Sequence, residues 1–226
     1  MIGPAISDIL PLAFVVMLSP IPIVAIILML FTPRARTTGP AFVLGWVVGL
    51  ALVSAVVYLI ADTLDVASDS GASDSASTVK MVLGVVLVLL GVRRWRSRPG
   101  PGETEPTPKW MQALDEIGAG RAVGLGLLLS AVNPKNLLLT VAAAVSVAQA
   151  GLSAGDAALV LAVFVIVGSL AVAAAVVTYL VAGDRAEGVL TTWKVWLEHN
   201  NAAVMAVLFV VIGVVVFSKG LGPITA

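Results

Sequence analysis

Ser130-Ala131-Val132-Asn133-Pro134-Lys135-Asn136-Leu137-Leu138 lies within an apolar run extending from roughly Ala119 to Ala150. A bilayer-spanning helix needs only ~20 apolar residues, so the run is long enough to cross a membrane. At its centre stand a proline, a cation and two amides. Pro134 removes a backbone donor, and its ring clashes with the preceding helical turn. Lys135 is the ionisable residue placed deep in the hydrocarbon, where a central charge costs at least ~2.5–3.5 kcal/mol. The rest of the sequence reads as a frame around this break and a partner break in the first span, Ser19-Pro20-Ile21-Pro22.

The frame is a polytopic membrane protein. Of the 226 residues, 59% are hydrophobic and 12% are charged, against about 25% charged in soluble domains. The apolar residues form six blocks: roughly 6–31, 40–61, 78–92, 119–150, 157–182 and 201–218. The absence of cysteine excludes disulfides, thiol redox chemistry and thiolate metal sites. Met1-Ile2-Gly3-Pro4 carries no basic segment, and the first block exceeds a signal peptide's apolar core, so it reads as a mature span.

Pro20 and Pro22 sit in the middle of the first span. Two prolines one residue apart favour a discontinuity over a simple kink, and the freed backbone groups then need protein or a water-filled cavity around them. Gly45 and Gly49 form a GxxxG pair that reads as helix packing. Residues 62–77 are acidic and Ser-rich; they lack the residue order of a calcium loop and read as a solvated connection. Arg93, Arg94, Arg96 and Arg98 precede a Pro/Gly/Glu linker over 99–108. Trp110, Leu114 and Ile117 then mark a short interfacial helix, and Trp193 and Trp196 mark a second over 185–199. His199 borders that helix and receives no role.

Arg34, Arg36, Arg93, Arg94, Arg96, Arg98, Lys109, Arg121, Arg185 and Lys194 fall in loops on one side; only Lys80 and Lys219 fall on the other. That bias places the basic loops in the cytoplasm and both termini outside. An odd number of spans per half makes the halves enter from opposite sides. Each half opens with a long span broken after a serine, Ser19-x-x-Pro22 and Ser130-x-x-x-Pro134. Each second span closes similarly, Tyr58-Leu59-Ile60-Ala61 and Tyr179-Leu180-Val181-Ala182. The expected fold is therefore all-α, with six transmembrane helices in a 3+3 inverted repeat and with spans 1 and 4 broken. Residues 1–92 form the first repeat, 93–118 the cytoplasmic loop and interfacial helix, and 119–226 the second repeat.

A half-helix starting at Pro134 presents unpaired donors and a positive dipole end. Lys135 adds a charge, Asn133 and Asn136 add amides, and Ser19 and Ser130 add hydroxyls. This set suits an anion such as phosphate, sulfate or carboxylate. Two roles for Lys135 remain open: it binds that anion, or it caps carbonyls freed by the broken first span. Asp8, near the outer end of the first block, is the only acidic residue within the six blocks, and none lies near the middle of a span, which disfavours a carboxylate metal site and a carboxylate proton relay. Nucleophile, Walker and zinc motifs are missing, so no enzymatic activity and no cofactor are expected.

The six spans, Ser19-Pro20-Ile21-Pro22, Pro33-Arg34-Ala35-Arg36, Gly45-Trp46 and above all Asn133-Pro134-Lys135-Asn136 resemble the GAP/Sap family. These are the glycopeptidolipid- and sulfolipid-addressing proteins of mycobacteria and related actinobacteria, placed in the LysE superfamily of small exporters. The resemblance covers essentially the whole chain. It implies export, or assistance in export, of cell-envelope lipids across the plasma membrane. The implied partners are the bilayer, an anionic lipid or small anionic substrate, lipid-biosynthesis or export proteins, and a second copy of the chain; nucleic acid is not among them. A small-solute exporter using the same site and a non-transporting scaffold acting through its 93–117 loop are the competing readings.

Overall fold

Proline placement divides the first and fourth apolar runs. The computed structural model describes residues 2–63, 74–96 and 117–221. Helix α1 (Ile2–Met17) stops short of Pro20, and α2 (Pro20–Leu30) begins on it. Helix α5 (Ala119–Ala131) stops short of Pro134, and α6 (Pro134–Gln149) begins on it. Proline is favoured at the first helical position because the donor it lacks would be unpaired there anyway. The two pairs bend by 48° and 63° at their breaks, which makes both true discontinuities.

The other helices are α3 (Ala35–Thr63), α4 (Asp74–Arg96), α7 (Ala154–Ala182) and α8 (Ala186–Leu221), with a 3-10 turn at Gly183–Arg185. No strand occurs among the described residues. Helices α3 and α7 each have 29 residues, about 43 Å at 1.5 Å per residue. Each is long and apolar enough to cross a bilayer alone, and counting three bent pairs as single spans, α1–α2, α5–α6 and the two parts of α8, brings the total to five. The chain is thus a membrane protein built of apolar helices.

Several boundaries differ from the sequence reading. The helix expected over 78–92 extends through Arg96 as α4, because the negative end of a helix accommodates Arg93, Arg94 and Arg96 in its last turn. The surface helix expected over 185–199 and the span expected over 201–218 both fall within α8, which is bent between Leu197 and Ala202. Most of the acidic 62–77 connection and the 109–117 interfacial helix lie outside the described residues.

The chain divides into two compact units, Met1–Ala67 with Pro106–Leu197 and Ser68–Glu105 with Glu198–Ala226. In the first, α3 is central and packs on α2, α5, α6 and α7, while α1 packs on α6 and α7. The α3–α5 contact is made at backbone distance. A Cβ on Gly45 would strike the Val123 carbonyl, one on Gly49 the Ser130 hydroxyl, and one on Gly126 the Phe42 carbonyl. The GxxxG pair therefore serves packing, as its spacing predicts. Phe42 and Trp46 stack with ring centroids 6.4 Å apart, and both are buried. In the second unit, α4 and the C-terminal part of α8 run antiparallel through Gly84, Gly91 and Gly213.

Candidate functional site

Each helix break leaves a carbonyl without its helical donor. In an uninterrupted α1, the Ser19 amide would bond to the Val15 carbonyl. Instead it turns to the Val16 carbonyl at 3.1 Å, a tighter turn imposed by Pro20. The Val15 carbonyl is released, and Lys135 Nζ donates to it at 3.1 Å. The second break follows the same logic. The Asn133 amide bonds to the Leu128 carbonyl at 3.2 Å rather than to Leu129. Asn136 Nδ2 then donates to the released Leu129 carbonyl at 2.9 Å.

The Asn133-Pro134-Lys135-Asn136 motif therefore satisfies both breaks. Asn133 caps α6, its side-chain oxygen accepting from the Lys135 amide at 3.1 Å. Asn136 reaches back to α5, Lys135 reaches across to α1, and Ser19 at the head of α2 donates its hydroxyl to Asn136 Oδ1 at 3.2 Å. Unpaired carbonyls are not tolerated in a hydrocarbon setting, and these bonds supply what the prolines removed. Thr140, not singled out by its sequence, adds a bond to the Asn136 carbonyl at 2.8 Å and is fully buried.

The structure brings Ser19, Asn133, Lys135 and Asn136 into one cluster beside Pro20, Pro22 and Pro134. Their accessibility differs. Asn136 is 0% exposed and Ser19 4%, so both are committed to protein partners. Ser130 is also buried and donates to the Leu127 carbonyl at 3.1 Å, its hydroxyl lying against Gly49 of α3. Asn133 and Lys135 are half-buried. Of the five candidates, these two retain access from outside the packed core, and the charge belongs to Lys135.

A model of one protein family, described as Sap, sulfolipid-1-addressing protein, matches residues 9–222. The chain belongs to this family. The match takes in both breaks and every candidate residue. Comparison with curated proteins and with solved structures gave no match. Among its described residues, this Sap protein has no group of three or more His, Asp or Glu placed to hold a metal ion.

Two further features of this Sap protein bear on function. A cavity of about 350 Å³ opens at the far end of α2 from the lysine cluster, lined by Leu30, Phe31, Thr32, Pro33, Arg36, Tyr179, Gly183 and Glu187. Gly183 has φ 52° and ψ −129° there, a conformation open to glycine. On α3, Trp46 Nε1 and Ser54 Oγ are buried without a hydrogen-bond partner among the described residues, which is costly in apolar surroundings. Neither feature was legible from spacing. Arg36 and Glu187 are far apart in sequence, and a buried Trp or Ser in an apolar helix looks like ordinary packing.

Proposed function

We propose that this Sap-family protein exports, or assists the export of, an anionic cell-envelope lipid or its precursor across the plasma membrane. The observation that carries this reading is the bond between Lys135 Nζ and the Val15 carbonyl where the two broken helices meet. A neutral carbonyl is a weak partner for an ammonium group. An anion adds the Coulomb attraction between opposite charges, which a neutral carbonyl lacks, so a substrate phosphate, sulfate or carboxylate displaces it. Lys135 then binds the anion, with Asn133 beside it. The α1–α2 junction loses one of its ties to α6, the Ser19–Asn136 bond remaining, and the bent halves are freed to change angle. Asn136 and Ser19 keep the breaks satisfied meanwhile.

Six spans in a 3+3 inverted repeat suit this mechanism, and the packing supports the repeat. Helix α3 packs on α5 while α7 packs on α1; α3 packs on α6 while α7 packs on α2. These contacts map onto one another under exchange of the halves, whereas the α1–α6 contact has no counterpart of similar extent between α2 and α5. The basic loops lie in the cytoplasm and both termini outside, by the distribution of Arg and Lys. No covalent chemistry is assigned to the chain.

One observation favours small solutes instead. The cavity at the end of α2 carries both Arg36 and Glu187, a pairing that suits the carboxylate and ammonium of an amino acid. Lys135→Met separates the readings. Surface display of envelope lipid is measured alongside protein abundance. Loss of display at unchanged abundance supports lipid export. Normal display removes Lys135 from the mechanism, and normal display with amino-acid efflux lost supports the solute reading. Loss of display on deleting 99–108, with Lys135→Met silent, favours a scaffold.

A further inference from the structure

The second unit carries an apolar groove with one cationic end. Helices α4 and α8 approach at backbone distance: a Cβ on Gly91 would lie 2.8 Å from the Ala206 carbonyl and 3.0 Å from the Val210 amide. Beside this glycine contact lies a groove of about 310 Å³, walled by Val92, Val207, Val210 and Val211. At one end stand Trp95 and Arg96. Arg93, Arg94 and Arg96 all belong to the last turn of α4, and Arg93 and Arg96 are exposed.

We infer that this groove is a binding site for one anionic phospholipid of the surrounding bilayer, separate from any transported substrate. The wall is valine and the floor is glycine and alanine, which fits a methylene chain and offers no hydrogen bond. Tryptophan prefers the boundary between hydrocarbon and headgroups, so Trp95 marks the depth at which the chain ends and the headgroup begins. Arginine then stands at phosphate level. Basic residues next to a membrane attract anionic lipid, and arginine suits a phosphodiester oxygen pair through its planar fork. The acyl chain lies along the α4–α8 groove and its phosphate meets Arg96, with Arg93 adding to the local field. The inference needs only membrane insertion and does not rest on the export reading.

The test uses the full chain in phosphatidylcholine nanodiscs. Trp46, Trp110, Trp193 and Trp196 are replaced by Phe, leaving Trp95 as the fluorophore. Brominated-chain phosphatidylglycerol or brominated-chain phosphatidylcholine is added at equal mole fraction. Stronger quenching by the anionic lipid is expected. Replacing Arg96 with Gln lowers the preference about fivefold, the fold-change for one basic residue at a membrane surface. Val211→Phe fills the groove and lowers quenching by the anionic lipid to the phosphatidylcholine level. Native mass spectrometry of the unaltered protein gives an independent reading, with one retained phosphatidylglycerol expected and none for R96Q. Equal quenching by both lipids overturns the inference, as does an anionic preference that survives Val211→Phe. A protein dimer that shields Trp95 from both lipids also overturns it, by assigning the groove to a second copy of the chain.

Discussion

Replacing Asn136 with leucine removes the side chain that both breaks share. Its amide nitrogen serves the Leu129 carbonyl at 2.9 Å, and its oxygen accepts from Ser19 at 3.2 Å. Leucine has similar volume and an apolar surface, so packing changes little. The cost is therefore that of the groups left behind. Orphaning a buried carbonyl costs ~1–3 kcal/mol. Losing the interhelical Ser19 bond adds ~0.6 kcal/mol, the average for side-chain pairs in a membrane protein. Together these give about 2–4 kcal/mol. Ser19→Ala removes the second contribution, and each variant strands one partner of that bond, Asn136 Oδ1 or Ser19 Oγ, so the two differ by the orphaned Leu129 carbonyl. At about 2–4 °C per kcal/mol for a chain of this size, Asn136→Leu lowers the melting temperature in detergent by at least ~4 °C. Ser19→Ala lowers it less, by a margin of at least ~2 °C on the same scale. In the double variant, the Ser19 substitution costs nothing further. Equal losses for the two single variants, or a smaller loss for Asn136→Leu, would refute the role of Asn136 as donor to the broken helix.

Glycines two residues apart on α5 give opposite expectations. Gly126→Ala drives a methyl group into the Phe42 carbonyl and costs ~1–3 kcal/mol, whereas Gly124 has open space and its change to Ala stabilises by up to ~1 kcal/mol through helix propensity; thermal melts of the two variants check the sign. Gly183→Ala strains the positive-φ link between α7 and α8 by ~1–3 kcal/mol, and a destabilisation below about 0.5 kcal/mol in the same melts would count against that backbone. Pro20→Ala combined with Pro22→Ala restores two amide donors and a continuous first helix. Ser19 then returns to the Val15 carbonyl and competes with Lys135 for it. Spin labels on α1 and α2, attached to cysteines added to this cysteine-free chain, should move apart as the 48° bend opens, and lipid display should fall.

The breaks were legible because a proline in an apolar run cannot continue the hydrogen-bond ladder, whatever surrounds it. A capping role for Lys135 was legible for a related reason, since a freed carbonyl in hydrocarbon needs a donor. Its identity was not. Which carbonyl is released depends on whether the helix tightens before its break, as at Val16, or widens, as at Leu128. The amides and serines looked equally suited to an anion in the sequence. Packing separates them: the rotation of α6 turns Asn136 inward, and the glycine contact of α3 with α5 covers Ser130. The extent of α4 was missed because charged residues mark the end of a span poorly when the helix simply continues past the membrane boundary.

The bond from Lys135 to Val15 crosses 120 positions of sequence, and this has a consequence for biogenesis. Synthesis proceeds from the N-terminus, so α1 and α2 are complete long before their donor leaves the ribosome. Until then the Val15 carbonyl must be held by the insertion machinery or by water. The same delay applies to α3, whose glycine face waits for α5, and to α1, which waits for α7. The N-terminal part of the chain is therefore an obligate client of the C-terminal part. A truncation after Thr63 would leave a broken helix with no donor and a small-residue face with no partner, a substrate for membrane quality control rather than a smaller version of the protein.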